Sequence, residues 1–494
     1  MVRSVKNLKK TERKIKESKK RDSSYFSNVP YAPAKVVWEP WVDELEEGEE
    51  LQFDPSTYNY LQKFRTGSSC LSFDIIHDSL GLVRSEFPHT LFGIIGTQLL
   101  KAPSRHKRNL EPRRKAQGAD ARLRKAEKAS LNYIGIFKIT NISGKEHDLL
   151  PYATDGEDVD IDSESGSDED DVNSEPIFQF CEIPHQGCVN RIRAMSQKPY
   201  ICATWAERGH VQVWDFTSQL NTLMESEAQS FHGGNTINAV APLFNFDGHK
   251  DEGFAMDWNP VVPGRLISGD RNSCIHLWEP SSDSWIVDRN PFVGHKASVE
   301  DLQWSPTEEN VFASCSVDGN ISLWDTRIGK SPTVFLKAHN TDVNAISWNR
   351  LESFMIVSGS DDGAFSIWDL RLIKEDSRVA HFECHKQPIT SIEWCPHEAS
   401  TLAVSSADDQ LTIWDLSLER DEEGEAACKA RFKEQATASQ HFPPQLLFVH
   451  QNQKDIKEVH WHPQIPGMIL SGDIDGLDIL MPFNTLSTLS RRHL

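Results

Sequence analysis

The sequence predicts an all-β fold assembled from one repeated unit, and three observations carry that prediction. First, His185, His249, His295, His339 and His385 each precede a tryptophan by 29 residues: Trp214, Trp278, Trp324, Trp368 and Trp414. Second, the tryptophan pairs Trp258/Trp278, Trp304/Trp324, Trp348/Trp368 and Trp394/Trp414 are each 20 apart. Third, the stretch 294–325 reads as short strands joined by turns, with Asp318-Gly319 placed as a two-residue hairpin in which glycine supplies positive φ. A period of about 40–50 residues means a repeat architecture whose units must stack to bury their apolar faces.

These units resemble WD repeats, with Trp-Asp at 214–215, 324–325, 368–369 and 414–415 and Gly-His at 248–249 and 294–295. The resemblance implies four strands per repeat, each repeat one blade of a β-propeller. Six units are countable between 178 and 484, and an atypical N-terminal blade brings the total to a seven-bladed propeller. The resemblance also implies a polar network within a blade. Its members here would be His295, Ser316, Asp318 and Trp324; His339, Ser360, Asp362 and Trp368; and His385, Ser406, Asp408 and Trp414. Indole only donates, carboxylate only accepts, and imidazole bridges the two. Ser, His and Asp together suggest hydrolysis, but one enzyme needs one nucleophile and this trio recurs. Arg208 and Asn272 stand where two other repeats should carry the Asp, and Met481 replaces the last strand tryptophan.

The remaining elements follow in chain order. Residues 1–37 form a basic tail; its first 21 residues hold ten Lys or Arg against two Glu, a pattern of nuclear or nucleolar address. Residues 38–67 open acidic and continue as an expected helix from Asp54-Pro55, with Tyr58, Leu61 and Phe64 on one stripe and Gly67 as the stop. Residues 68–76 are expected to add the outer strand of the last blade and close the ring, within a propeller spanning 68–485. Residues 86–100 and 131–140 read as two inner strands of the first blade.

Between those strands lies a basic insert, 101–130, with eleven Lys or Arg and three acids. An acidic insert spans 150–176, and its stretch 155–175 carries eleven acids and no base, too little apolar matter to fold alone. Ser165 and Ser167 each have Asp three residues on, a context suited to acidophilic kinases. A third insert, 417–445, is read as lying between the fifth and sixth repeats and ends in Pro443-Pro444; residues 486–494 form a C-terminal tail.

The net charge of −21 argues against direct nucleic-acid binding outside the two basic segments. No apolar stretch suits a signal peptide or a membrane span, so a soluble, non-secreted protein is expected. Nine cysteines occur singly, which points to a reducing compartment, cytosol or nucleus. His460-x-His462 and Cys384-His385 sit at repeat positions without a second ligand pair, so neither metal nor cofactor is expected.

The flanking pieces are more specific than the repeats. LEEGEEL (45–51), CLSFDI (70–75), EFPHTL (86–91), GTQ (96–98), FDGHKDEGFAMDWNP (246–260) and PPQLLFVHQ (443–451), with the acidic tract, resemble the glutamate-rich WD-repeat proteins over about residues 36–485. That family's resemblance implies a non-enzymatic nucleolar chaperone for ribosome assembly, related to histone-binding propellers. It implies a monomer that holds a basic client, a large-subunit ribosomal protein within pre-ribosomal particles or, alternatively, a histone in chromatin assembly or replication licensing. No small-molecule substrate is implied. Carried over from the histone-binding relatives, the groove would involve Tyr58, Leu61 and Phe64 with Asp421, Glu422, Glu423, Pro443 and Pro444. A different class of function, substrate receptor of a cullin–RING ubiquitin ligase, is suggested by Arg327 and Arg371, each two residues after the Asp of a Trp-Asp pair, in stretches that resemble the WDxR motif such receptors present to their adaptor.

Overall fold

The computed structural model describes residues 2–5, 49–52, 55–66, 69–98, 132–144, 175–225, 235–236, 240–372, 378–419, 443–451 and 453–483. Seven antiparallel sheets form the blades of a closed propeller, six of four strands and the first with a short fifth, Asn235–Thr236, added in parallel. Their inner strands run Ser69–Ile76, Val189–Met195, Ala255–Trp258, Val299–Trp304, Val343–Trp348, Ile389–Trp394 and Glu458–Trp461. Each packs on its neighbour round a central channel, and Glu458–Trp461 returns to Ser69–Ile76.

Because each blade is an antiparallel meander, its corners fall on two faces of the disc. The corners after the first and third strands lie where the Trp pairs end, here called the Trp face. The corners after the second strand, and between blades, carry the His and Asp residues and form the His face. The hairpin at Asp318-Gly319 is a three-residue loop rather than a two-residue primed turn: Gly319 N–H bonds Ser316 O at 3.0 Å, and Gly319 takes φ 78°. A type I turn followed by one left-handed glycine does the same work with one special residue instead of two.

Three sequence expectations are corrected at the ring's seam. The expected helix is a single 3-10 turn, Pro55–Thr57, after which Tyr58–Arg65 is a strand paired with Gly476–Pro482. Tyr58, Tyr60 and Phe64 also lie at even spacing, and as a strand all three bury their rings. The open edge of blade 7 offers a full ladder of backbone partners, which a lone helix docked on the rim would forgo. Ser69–Ile76 is therefore not the closing strand but the innermost strand of blade 1. Residues 89–98 and 133–142 are that blade's second and third strands rather than its inner pair. The 417–445 insert lies inside blade 6, between Leu411–Asp415 and its outer strand Leu446–His450, not between blades.

One helix has no counterpart in the sequence expectations: Thr217–Glu225, in the corner after the third strand of blade 2. The Asp215 carboxylate accepts the Thr217 N–H at 2.8 Å and caps its start, and Leu220 and Leu223 bury against blade 1.

Candidate functional site

Each blade network is built around one hydroxyl. In blade 4, Ser314 Oγ accepts the Trp324 indole N–H at 2.8 Å and meets His295 Nε2 at 2.7 Å. Ser358 does the same for Trp368 and His339, and Ser268 for Trp278 and His249. In blade 6 the strand carries Val404 there, and Thr412 takes over, bonding Trp414 at 2.8 Å and His385 at 3.0 Å. The bridging serine thus stands two residues before the one expected. Ser316, Ser360 and Ser406 lie on the same strand face but serve the turn: Ser316 accepts Asp318 N–H, and Ser406 accepts Asp408 N–H.

The acids behave as expected in two blades. Asp318 meets His295 Nδ1 at 3.1 Å and Asp408 meets His385 Nδ1 at 3.0 Å. Asp362 instead holds Ser360 and the Ala364 N–H. In blade 3 Asp270, not the Asn272 position, meets His249 at 3.0 Å, an acid the sequence reading missed because it stands in the serine's place. In blade 2, with Arg208 at the acid position, His185 Nδ1 turns to the Gly187 carbonyl. Burial lowers the pKa of His249 and His339, the latter to about 4, which keeps the ring neutral as a bridge. These networks are the blades' internal ties.

The channel holds a cavity of about 310 Å3 that opens among Pro260, Pro306, Pro396 and Pro463 on the Trp face. Inner-strand side chains staple each blade to the next there. Asp257 accepts the Trp304 N–H at 2.7 Å, Gln303 the Trp348 N–H at 2.7 Å, and Glu393 the Trp461 N–H at 3.0 Å. Across the seam, Glu458 takes Arg191 and Arg193 on one oxygen and Ser72 Oγ and Phe73 N–H on the other. His460 sits between Glu393 and Glu458, and His462 caps the Gln464 and Ile465 N–H groups. Among the described residues no group of three or more His, Cys, Asp and Glu is placed to hold a metal ion. No described helix is long and apolar enough to cross a membrane.

The residues expected to form a client groove are placed differently from one another. Tyr58 and Phe64 are buried in the closing strand, Tyr58 donating or accepting with His450 Nδ1 at 2.7 Å, and Leu61 is half-buried against the apolar cluster shared by blades 6 and 7. Pro444 is exposed on the Trp face of blade 6, and the Pro443 carbonyl accepts the Leu446 N–H. Asp421, Glu422, Glu423, Ser165 and Ser167 lie outside the described residues. Arg327 and Arg371 also sit on the Trp face, each gripped by the Asp two residues before it, at 2.7 and 2.6 Å, and each more than half exposed.

The described strand ends fix where the charged segments attach. The chain enters blade 7 at Tyr58, opposite Pro482, on the Trp face. The acidic insert leaves and rejoins blade 1 between Ile142 and Ile177, and the third insert leaves and rejoins blade 6 between Asp415 and Leu446, on that same face. The basic insert attaches between Gln98 and Tyr133, on the His face.

Comparison with known proteins agrees with this architecture. Residues 288–325, 330–369 and 376–415 match the family model described as WD domain, G-beta repeat. The chain is 58% identical over 97% of its length to Protein HEAT STRESS TOLERANT DWD 1 of Arabidopsis thaliana, covering 98% of that relative. It is 43% identical to glutamate-rich WD repeat-containing protein 1 of Dictyostelium discoideum, over 91% of this chain and 86% of the relative. It is 35% identical to ribosome assembly protein rrb1 of Schizosaccharomyces pombe, over 90% of this chain and 84% of the relative. The chain is a WD-repeat scaffold and belongs to the family of the glutamate-rich WD repeat-containing proteins.

Proposed function

We propose that this propeller is a holding chaperone for a basic protein, a large-subunit ribosomal protein, and that it works in the nucleus and nucleolus during ribosome assembly. The observation that carries the reading is one of placement. Three acidic stretches, 39–50, 155–175 and 421–425, attach to the consecutive blades 7, 1 and 6, all on the Trp face. The basic insert 101–130 attaches on the opposite face, so its two ends lie apart from the acidic stretches' points of attachment. Such segregated charge raises the local concentration of a cationic partner and speeds its capture. The relative named for ribosome assembly aligns over 90% of the chain, which favours a ribosomal client over a histone. Phosphorylation at Ser165 and Ser167 would add charge to the same sector.

The test is capture of purified basic clients, ribosomal and histone, by the intact chain and by a chain lacking residues 155–175. The deletion is expected to slow association about tenfold at low salt, with the difference shrinking as salt screens beyond roughly 8–10 Å. Association unchanged by the deletion at low salt overturns the reading, and preference for histones shifts it to chromatin assembly.

A second reading, ligase substrate receptor, draws on the two gripped arginines. The Arg371 guanidinium also stacks over the Phe354 ring at 3.6 Å, so both heads are held ready for a partner. Adaptor co-purification that survives Arg327→Ala with Arg371→Ala would remove it.

A further inference from the structure

We infer that the loop between the first two strands of blade 1, residues 77–88, is the apolar half of the client surface, and that it selects a basic helix with an apolar stripe. The inference rests on the client reading above and adds what kind of basic segment is chosen. The loop leaves Ser69–Ile76 and rejoins at His89, so it lies on the Trp face of blade 1. Gln464, in the corresponding corner of blade 7, joins it to that blade, which places it at the junction of two of the three blades to which the acidic stretches attach.

Its polarity is inverted relative to an ordinary surface loop. Asp78 and Arg84 turn inward and pair with each other, their side chains largely buried. Leu80, Leu82 and Val83 turn outward, 58%, 90% and 61% exposed. Scattered exposed apolar residues need no explanation, but three within four positions make a patch of the kind that marks interaction sites.

The loop is also held in one shape. The buried Gln464 side chain donates to the Asp78 carbonyl at 2.9 Å and the Gly81 carbonyl at 2.7 Å, and accepts the Asp78 N–H at 3.0 Å. The Arg84 N–H donates to the Gln464 carbonyl at 2.8 Å, and its guanidinium to the Thr90 carbonyl at 3.0 Å. A connector need not be this long or this tied down, since two to five residues suffice to turn a hairpin. Fixing the backbone lowers the entropy that binding would otherwise cost.

Charge decides the occupant. An apolar knob at the junction of blades 7 and 1, to each of which an acidic stretch attaches, matches a partner whose apolar residues are flanked by Lys and Arg. On a helix this is apolar residues at i, i+3, i+4 and i+7 with a basic remainder. Unlike the acidic stretches, the knob acts at contact only and is not screened by salt.

Two synthetic helical peptides of equal length and equal lysine count test this, one with Leu at the stripe positions and one with Ser. Binding to the full chain is read by fluorescence anisotropy at low salt and at about 0.3 M salt. The Leu peptide is expected to bind at least about tenfold tighter, a modest effect for burying apolar area of this extent. Leu80→Ser, Leu82→Ser and Val83→Ser together should erase that advantage and leave the Ser peptide's affinity unchanged. A melting curve checks that the triple variant is folded, and Leu82→Ser alone, at the most exposed position, is the second variant. Equal binding of the two peptides to the native chain, or an advantage retained by the folded variants, overturns the inference while the charge reading stands. Binding of neither peptide overturns both.

Discussion

Ser314 shows how much of a blade rests on one atom. Its hydroxyl accepts the Trp324 indole at 2.8 Å and meets His295 at 2.7 Å, all three side chains being buried. Ser314→Ala leaves two buried polar groups without a partner, which should cost about 1–3 kcal/mol. Ser316, two residues on, bonds the Ala297 carbonyl at 3.3 Å and the Asp318 N–H at 3.1 Å, both longer contacts at a turn. Ser316→Ala should cost less, about 0.5–1.5 kcal/mol. Urea denaturation of the two variants gives the comparison, and the reverse order would place the stabilising contact in the turn. The sequence could not separate these serines, because residues two apart share a strand face and both precede an Asp. It is in blade 6, where the hydroxyl moves to Thr412 on the next strand, that the requirement becomes plain: the network needs a hydroxyl between indole and imidazole, not a particular position.

At the scale of the strand, legibility followed sequence distance. Blades 3–6 could be read because their hairpins and Trp pairs are local, and the spacing of Trp304 and Trp324 already encodes the register Phe312↔Trp324. The closing strand could not, since the partner of Tyr58 is Pro482, at the other end of the chain. Read locally, 58–64 satisfies a helical stripe; only the unpaired edge of Gly476–Pro482 decides for a strand. The same displacement explains the misplaced strands of blade 1 and the buried Tyr58 and Phe64. Gly476 tests the closure directly. It holds φ 154°, and a Cβ there would strike the Phe64 carbonyl of the closing strand. Gly476→Ala should therefore destabilise the chain by roughly 1–3 kcal/mol, through backbone strain at a position that only glycine adopts cheaply. A chain beginning at residue 67 should go further, exposing the Gly476–Pro482 edge and self-associating. Size-exclusion chromatography and thermal melting read both outcomes; a monomeric truncated chain with the native melting temperature would mean that closure adds nothing.

The whole ring is held by charge as well as by packing, and that makes its stability depend on pH in a stated direction. Glu458 ties blades 7, 1 and 2; burial works to raise its pKa, but Arg193 and Arg191 hold it well below the usual carboxylate range, so it stays ionised. Burial opposes protonation of His460, yet Glu393 and Glu458 lift its pKa to about 9. Burial lifts Asp257 to about 7 against the pull of the Trp304 N–H and nearby arginines. Both raised groups bind protons more tightly folded than unfolded, where His titrates near about 6.5 and Asp near about 3.9. Their contributions to stability should then fall as pH rises: that of Asp257 between about 4 and 7, and that of His460 between about 6.5 and 9, while buried neutral histidines such as His249 and His339 act the other way below about 6.5. The histidine's contribution is fully present below about 6.5 and gone above 9. At about 1.4 kcal/mol per pKa unit, each span amounts to roughly 3–4 kcal/mol. Denaturant midpoints measured at pH 5.5, 7 and 9 should decline over the alkaline interval, from pH 7 to 9, in the native chain. Asp257→Asn, whose amide oxygen can still accept the Trp304 N–H, should gain stability relative to the native chain between pH 5.5 and 7 and leave the alkaline limb intact. His460→Gln should flatten the alkaline limb. A native profile flat from pH 7 to 9 would show that the inner ring does not couple its closure to the proton on His460.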